Sequence, residues 1–310
     1  MPLKLALPDL VSNSYFPAFA AVELGFFREE GLDVEHEMIF PVPACCEALR
    51  DGRVDLVAVS MHAPLWAFPR WRGSKALCAL SQGMYWFLVV RKDLPIEKGD
   101  MNGLKGLRLA AAPAVEIGLK ELFKAAGIDI AKEGISIGLP PGGVPPGASF
   151  GVVAAESLIR GEIDGFWANG MGAEVAVTSG IARMILDVRR GDGPPAAFRF
   201  TQPALVTSSK ICEEQPDVAA AATRAIVKTQ KALKEDVKLA TKVGEKLFPA
   251  KEAALIATLI ERDLPFYDAA IHEENVAGMN AFALSAGLMQ GAPVPYEDIV
   301  ATEVSRYWKG

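Results

Sequence analysis

Two segments of the 310-residue chain repeat each other in order. Phe27-Arg-Glu-Glu-Gly31-Leu-Asp33-Val34 is echoed by Phe123-Lys-Ala-Ala-Gly127-Ile-Asp129-Ile130, and Leu49-Arg50-Asp-Gly52-Arg-Val54-Asp55-Leu56 by Ile159-Arg160-Gly161-Glu-Ile163-Asp164-Gly165. The repeats carry a helix end, a glycine free to turn left-handed, and an aliphatic residue followed by Asp where a strand begins. The spacing between the pairs differs by about the length of the Pro/Gly-rich loop Pro140–Gly147, which is too rich in breakers for regular structure. Chance could supply one such match of helix, stop and strand. Two in order predict two α/β lobes built on one plan.

The first unit sets the pattern. Leu3, Leu5 and Leu7 read as a strand, Ser12-Asn13-Ser14 as a polar turn able to cap a helix, and Phe16, Phe19, Ala20, Leu24 and Phe27 as one apolar helical face stopped at Gly31. Leu32–Phe40 alternates as a half-buried strand, and Val54–Val59 reads as a fully apolar one. Trp86–Val90 and Phe200–Thr207 are extended apolar segments placed to cross between lobes. The expected division is 1–88 with 203–310 as lobe one and 89–202 as lobe two. From Pro216 the pattern is helical to the end: Val218–Leu233, Val237–Phe248, Glu252–Leu259, Asn275–Leu288 and Ile299–Trp308, expected to pack on lobe one.

A hydrophobic content of 51% with 23% charged residues fits a globular chain. A net charge of −6 and only 32 basic residues, with no basic run, argue against nucleic acid as a partner. No apolar run is long enough for a spanning helix. Lys4 is followed by only a few apolar residues before Asp9, so no secretory leader is visible. A periplasmic location then requires that a leader was removed and Met1 added; otherwise the expected location is the cytoplasm. Cys45, Cys46, Cys78 and Cys212 show no disulfide or zinc spacing and read as buried thiols. No metal-binding His spacing, P-loop, G-x-S-x-G or G-x-G-x-x-G occurs, so neither a metal nor a cofactor is expected.

The run Tyr15-Phe-Pro-Ala-Phe-Ala-Ala-Val-Glu-Leu-Gly25-Phe-Phe-Arg-Glu-Glu-Gly31-Leu-Asp-Val34-Glu resembles the first helix and second strand of the nitrate/sulfonate/taurine and thiamine-precursor (NMT1-like) solute-binding proteins of ABC importers. Leu49–Asp55, Leu104-Lys-Gly106-Leu-Arg108-Leu-Ala and Ile163-Asp164-Gly-Phe-Trp167 resemble later elements of that family. The resemblance implies a type II periplasmic-binding-protein-like fold, each lobe a mixed sheet flanked by helices, with the ligand in the cleft between them. It also implies an ABC permease as partner and a protein that acts as a monomer on a small organic ligand.

Ligands of open α/β sheets sit beyond the carboxyl ends of the strands. The residues expected there are Ser12, Asn13, Tyr15, Pro43, Ser60, Met61, His62, Gln82, Tyr85, Ala114, Val115, Trp167 and Asn169. His62, at a strand end, is the one histidine of three with a functional reading; His36 falls on the apolar side of its strand and His272 on the surface. Because no cleft Arg or Lys stands out, hydroxyls and helix N-termini, including the helix from Val115, are expected to hold an acidic group. The density of Tyr15, Met61, Met84, Tyr85, Trp86 and Trp167 points to an aromatic or heterocyclic carboxylate or sulfonate, with Trp167 as the stacking residue and Trp86 as a core candidate. The alternative is an enzyme on the same fold, similar to a thiamine-pyrimidine synthase or an aromatic desulfinase, with Cys45 as a nucleophile activated by His62.

Overall fold

The computed structural model describes residues 2–309. The first part of the chain forms β1 (Leu3–Leu7), α1 (Phe16–Glu23), α2 (Phe26–Glu29), β2 (Val34–Met38), α3 (Val42–Arg50), β3 (Leu56–Ser60) and β4 (Ser74–Ala79). The middle forms β5 (Phe87–Arg91), β6 (Arg108–Ala111), α4 (Glu116–Ala125), β7 (Ser136–Gly138), α5 (Phe150–Ile159), β8 (Gly165–Ala168), α6 (Gly170–Thr178) and β9 (Ala182–Asp187). The chain then returns through β10 (Pro203–Ser208). It ends in α7 (Ser209–Glu214), α8 (Pro216–Glu235), α9 (Lys238–Leu247), α10 (Ala250–Asp263), α11 (Glu273–Ser285) and α12 (Tyr296–Ile299).

The strands make two sheets of five, in the orders β2-β1-β3-β10-β4 and β7-β6-β8-β5-β9. In each sheet the first three strands are parallel and the fourth runs antiparallel between its two neighbours. That fourth strand is borrowed: β10 completes sheet one after the chain has built sheet two, and β5 begins sheet two directly after β4. The predicted two-lobe α/β architecture is therefore present, and the chain changes lobe just ahead of Phe87. Burial follows position in the sheet. Central β3 is buried at every residue, so its sequence Leu-Val-Ala-Val-Ser needs no alternation, whereas edge strand β2 exposes Glu35 and Glu37.

Three local expectations change. The helix read from Phe16 to Gly31 is two, because Gly25 takes the left-handed conformation (φ +86°) and breaks it into α1 and α2. Ile299–Trp308 is not one helix; α12 ends at Ile299 and a 3₁₀ turn covers Thr302–Tyr307. The C-terminal helices do not pack on lobe one alone. Helix α8 lies on α1, α2 and β4, but α10 packs on α6 of lobe two. The reason is ionic: Arg189 of lobe two, with no exposed side-chain surface, donates to Asp263 Oδ1 of α10 at 2.5 Å, and Arg262 pairs with Glu174 at 3.3 Å. A buried guanidinium needs its counter-charge within reach, so α10 is tied to both lobes.

Candidate functional site

A cavity of about 40 Å³ lies between the lobes, walled by loops that leave the carboxyl ends of strands. The β1–α1 loop supplies Pro8, Asp9, Ser12, Ser14 and Tyr15, the β2–α3 loop supplies Phe40, and α3 begins on the wall with Val42. Across the cleft stand Ala112 and Val115 before α4, Phe150 at the start of α5, Ala168 at the end of β8 and Asn169 ahead of α6; Trp86 closes the side where the chain changes lobe.

Asp9 is the hub. One carboxyl oxygen, Oδ2, accepts from Ser149 Oγ at 2.8 Å and from Asn169 Nδ2 at 2.9 Å. Ser149 and Asn169 are the N-cap residues of α5 and α6, both in extended conformation. Asn169 Oδ1 caps the Gly172 N–H at 3.0 Å, which leaves its amide nitrogen to reach Asp9. Two glycines bring these helix starts together: a Cβ on Gly172 would sit 2.5 Å from the Gly151 carbonyl oxygen. The other oxygen of Asp9, Oδ1, is sealed from solvent and has no partner, although the residue as a whole keeps some exposed surface. Burial outweighs the hydrogen bonds and pushes the carboxyl up to about 7.

Around this group the walls are flat and apolar. Tyr15 meets Tyr85 edge to face at 5.9 Å with their hydroxyls 2.9 Å apart, and Tyr85 packs on Trp86 at 4.7 Å. Burial, reinforced by the neighbouring phenol, holds the Tyr15 hydroxyl well above its usual range, so it stays protonated. The Ser12 hydroxyl accepts from the Ser14 N–H at 3.0 Å and fixes the loop, while the Ser14 hydroxyl is buried without a partner. The expected helix donors at Val115 are already engaged, since the Val115 and Glu116 N–H groups both bond the Ala112 carbonyl at 3.0 Å.

Of the residues expected at the site, Ser12, Tyr15, Val115 and Asn169 line this cavity, and Tyr85 stands behind Tyr15. The others have different surroundings. Asn13 donates to Asp263 at 2.5 Å and belongs to the clamp around Arg189. Pro43 sits in the first turn of α3 beside the lining residue Val42. Ser60, buried at the end of β3, has its side chain against the Tyr85 hydroxyl behind the cavity, while the next residue, Met61, has its carbonyl taken by Trp71 Nε1 at 3.0 Å. Ala114, with φ +69°, shapes the β6–α4 turn without lining the cavity. Gln82 spans to the Asp268 and Ala270 carbonyls and accepts from Asn275, which staples lobe one to the C-terminal region.

His62 is wholly buried among Trp66, Trp86 and Phe282, and its Nδ1 meets Thr201 Oγ1 at 2.8 Å; burial lowers its pKa to about 3. Cys45 donates to the Ile39 carbonyl at 2.9 Å, and burial pushes its thiol well above the usual range. Neither is the other's hydrogen-bond partner, and a thiol held in its protonated form is a poor nucleophile. Trp167 and Trp86 exchange their expected positions. Within β8 Ala168 faces the cleft, so Trp167 points to the opposite face and is buried, 6.2 Å from Trp86, which is the cavity wall. Asp9, Ser14, Phe40, Ser149 and Phe150 were not among the expected residues. A charged residue two positions after the buried end of β1 was the signal available for Asp9.

Residues 12–140 match the family described as NMT1/THI5 like. No curated protein matches the chain. Among solved structures, a protein of Bordetella bronchiseptica RB50 is similar at 22% identity, with 98% of this chain and 96% of that chain covered and a TM-score of 0.78. The alkanesulfonate-binding protein SsuA of Xanthomonas axonopodis pv. citri, bound to MOPS, is 14% identical over 96% of this chain and 97% of that one, with a TM-score of 0.70. DSZB, a desulfurization enzyme, in a mutant complex with biphenyl-2-sulfinic acid, is 17% identical over 99% and 98% of the two chains, with a TM-score of 0.66. The resemblance read from the run beginning at Tyr15 thus holds: the chain matches the NMT1/THI5-like family over residues 12–140, and over its length it has the fold of the solute-binding proteins of ABC importers.

Proposed function

We propose that the chain is the substrate-binding protein of an ABC-type importer, capturing a small aromatic or heterocyclic molecule by closure of its two lobes and delivering it, as a monomer in the periplasm, to a permease. One observation carries this reading: the cavity is walled by both lobes, and the lobe-one carboxyl of Asp9 is bonded by two lobe-two helix caps. Such a site exists only when the lobes meet. At about 40 Å³ it is far below the roughly 150 Å³ that holds a benzene molecule, so a ring needs the lobes to part for its entry and to close around it less completely than they stand here. The aromatic walls Tyr15, Trp86, Phe40 and Phe150 support a planar ligand. The acidic group expected on the ligand would stand beside the Asp9 carboxyl, with no Lys or Arg among the described residues lining the cavity to pair with it.

Mass spectrometry of gently purified protein, released into denaturant, is expected to show one retained small molecule. Small-angle scattering is expected to change when that molecule is removed and to revert when it is restored. No retained compound, together with a scattering profile that no added compound alters, overturns the reading.

A further inference from the structure

We infer that Asp9 selects the ligand through its unpartnered Oδ1, so that the cleft takes a planar molecule with N–H donors on its edge, an amide or an amidinium, and rejects carboxylates, sulfonates and nitrate. The inference rests on the cleft being a ligand site. Asp9 Oδ2 already accepts two hydrogen bonds, from Ser149 and Asn169, and the Val11 N–H lies close to the carboxyl, whereas Oδ1 is sealed from solvent and has no partner in hydrogen-bond geometry. A buried acceptor of this kind is satisfied by a donor, and no donor of the cavity wall stands within hydrogen-bond distance of it.

An anion meets the opposite situation. Among the described residues no Lys or Arg lines the cavity. The N-cap side chains of α5 and α6, groups that otherwise greet an anion at a helix start, are turned onto Asp9. The protein's own carboxyl occupies the place where a ligand's acid group would go, and above pH 7, where that carboxyl is ionised, a second acid there would be a like-charged neighbour without a counter-ion. The buried Ser14 hydroxyl, also unpartnered and on the same wall, can donate to a carbonyl beside the N–H group. An amide edge therefore matches Asp9 and Ser14 together, and the aromatic walls take the ring faces.

The test is calorimetry well above pH 7, where Asp9 is ionised, with four compounds that share one ring and differ only in head group: benzamidine, benzamide, benzoate and benzenesulfonate. They are titrated into the wild-type protein and into Asp9→Asn, which keeps an oxygen for Ser149 and Asn169 but replaces the free acceptor with an NH₂ donor. Benzamidine and benzamide are expected to bind the wild type at least ten-fold more tightly than the two acids. In Asp9→Asn the affinity for benzamidine is expected to fall at least ten-fold. The wild-type ranking stands without the variant, should that fail to fold. Acids bound as tightly as benzamidine, or N–H compounds bound unchanged by folded Asp9→Asn, overturn the selection rule and leave capture in the cleft intact. Failure of all four compounds also overturns it, while the retained-ligand measurement judges capture separately.

Discussion

In lobe one the Asp55 carboxylate accepts from the Lys4 backbone N–H at 2.8 Å, and the Asp55 N–H returns a bond to the Lys4 carbonyl at 2.9 Å. In lobe two Asp164 does both with Arg108, each at 2.9 Å. The helix stops agree as closely: Gly31 and Gly127 take φ of +80° and +73°, and Leu32 and Ile128 each bond back to Phe27 and Phe123 at 2.9 Å. Where strand meets turn, the repeat is kept bond for bond. At the cleft it is not. Counting from Lys4 and Arg108, the lobe-two counterpart of Asp9 is Pro113, which has neither charge nor N–H. One copy supplies a carboxyl and the other supplies the helix caps that hold it. The two lobes share what makes a fold and differ in what makes a site.

Several substitutions break or sharpen that contrast, and the clamp joining the copies comes first. Asp263→Ala leaves Arg189 buried without its counter-charge and is expected to cost about 3–5 kcal/mol in urea unfolding. A loss below 1 kcal/mol would show that the lobes do not depend on this pair.

Asp9→Asn acts in the other direction. The folded carboxyl titrates near 7 against a usual value of 3.8, so between about pH 4 and pH 7 the native state binds the extra proton. Stability from this group is therefore full below pH 4 and declines as pH rises through 7. Asparagine removes that slope. The variant is expected to be more stable than wild type by about 1–2 kcal/mol at pH 8 and no more stable at pH 4, allowing for an unpaired amide N–H. Parallel urea midpoints across this range would refute the raised carboxyl.

Gly31→Ala and Gly127→Ala meet no neighbour within 4 Å and differ from wild type only through backbone strain. Each is expected to cost about 1 kcal/mol, and by the same amount in the two lobes. Unequal losses would mean that the helix stops are not equivalent.

The smallest effect separates the two strand-start carboxylates. Asp164 also takes Arg108 Nε and Nη2 at 3.0 Å, and the Arg108 side chain, ahead of a smaller opposing burial penalty, holds its pKa below the usual range; Asp55 has no such partner. Because Arg108 is half exposed, Asp164→Ala is expected to exceed Asp55→Ala by only about 0.5 kcal/mol. The excess should vanish as acid carries the pH below the folded pKa of Asp164.

The repeat was legible in the sequence because its signals are local. A left-handed glycine and an Asp at a strand start act within a few residues, so Gly31, Gly127, Asp55 and Asp164 announce themselves. The cleft is non-local. Whether Trp86 or Trp167 faces it depends on the phase of strand alternation, and both lie in apolar runs with nothing to mark the phase. His62 looked available because Thr201, its partner, lies 139 residues away, and Gln82 because its acceptors lie 186 and 188 residues away. Nothing near Asp9 in the sequence marks its role, since the two caps that give it meaning come from the other lobe.

The borrowed strands also set an order of events on the ribosome. All five strands of sheet two lie between Phe87 and Asp187, so that sheet can close as soon as this span has emerged. Sheet one must wait for β10, which slots between β3 and β4 and ends at Ser208. Until then two apolar strands made early in synthesis stand apart with their facing edges unpaired, a template for the wrong partner. A nascent chain halted between β9 and β10 would therefore carry a finished second lobe behind an unfinished first one. That is the stage of synthesis at which a chaperone would have most to protect.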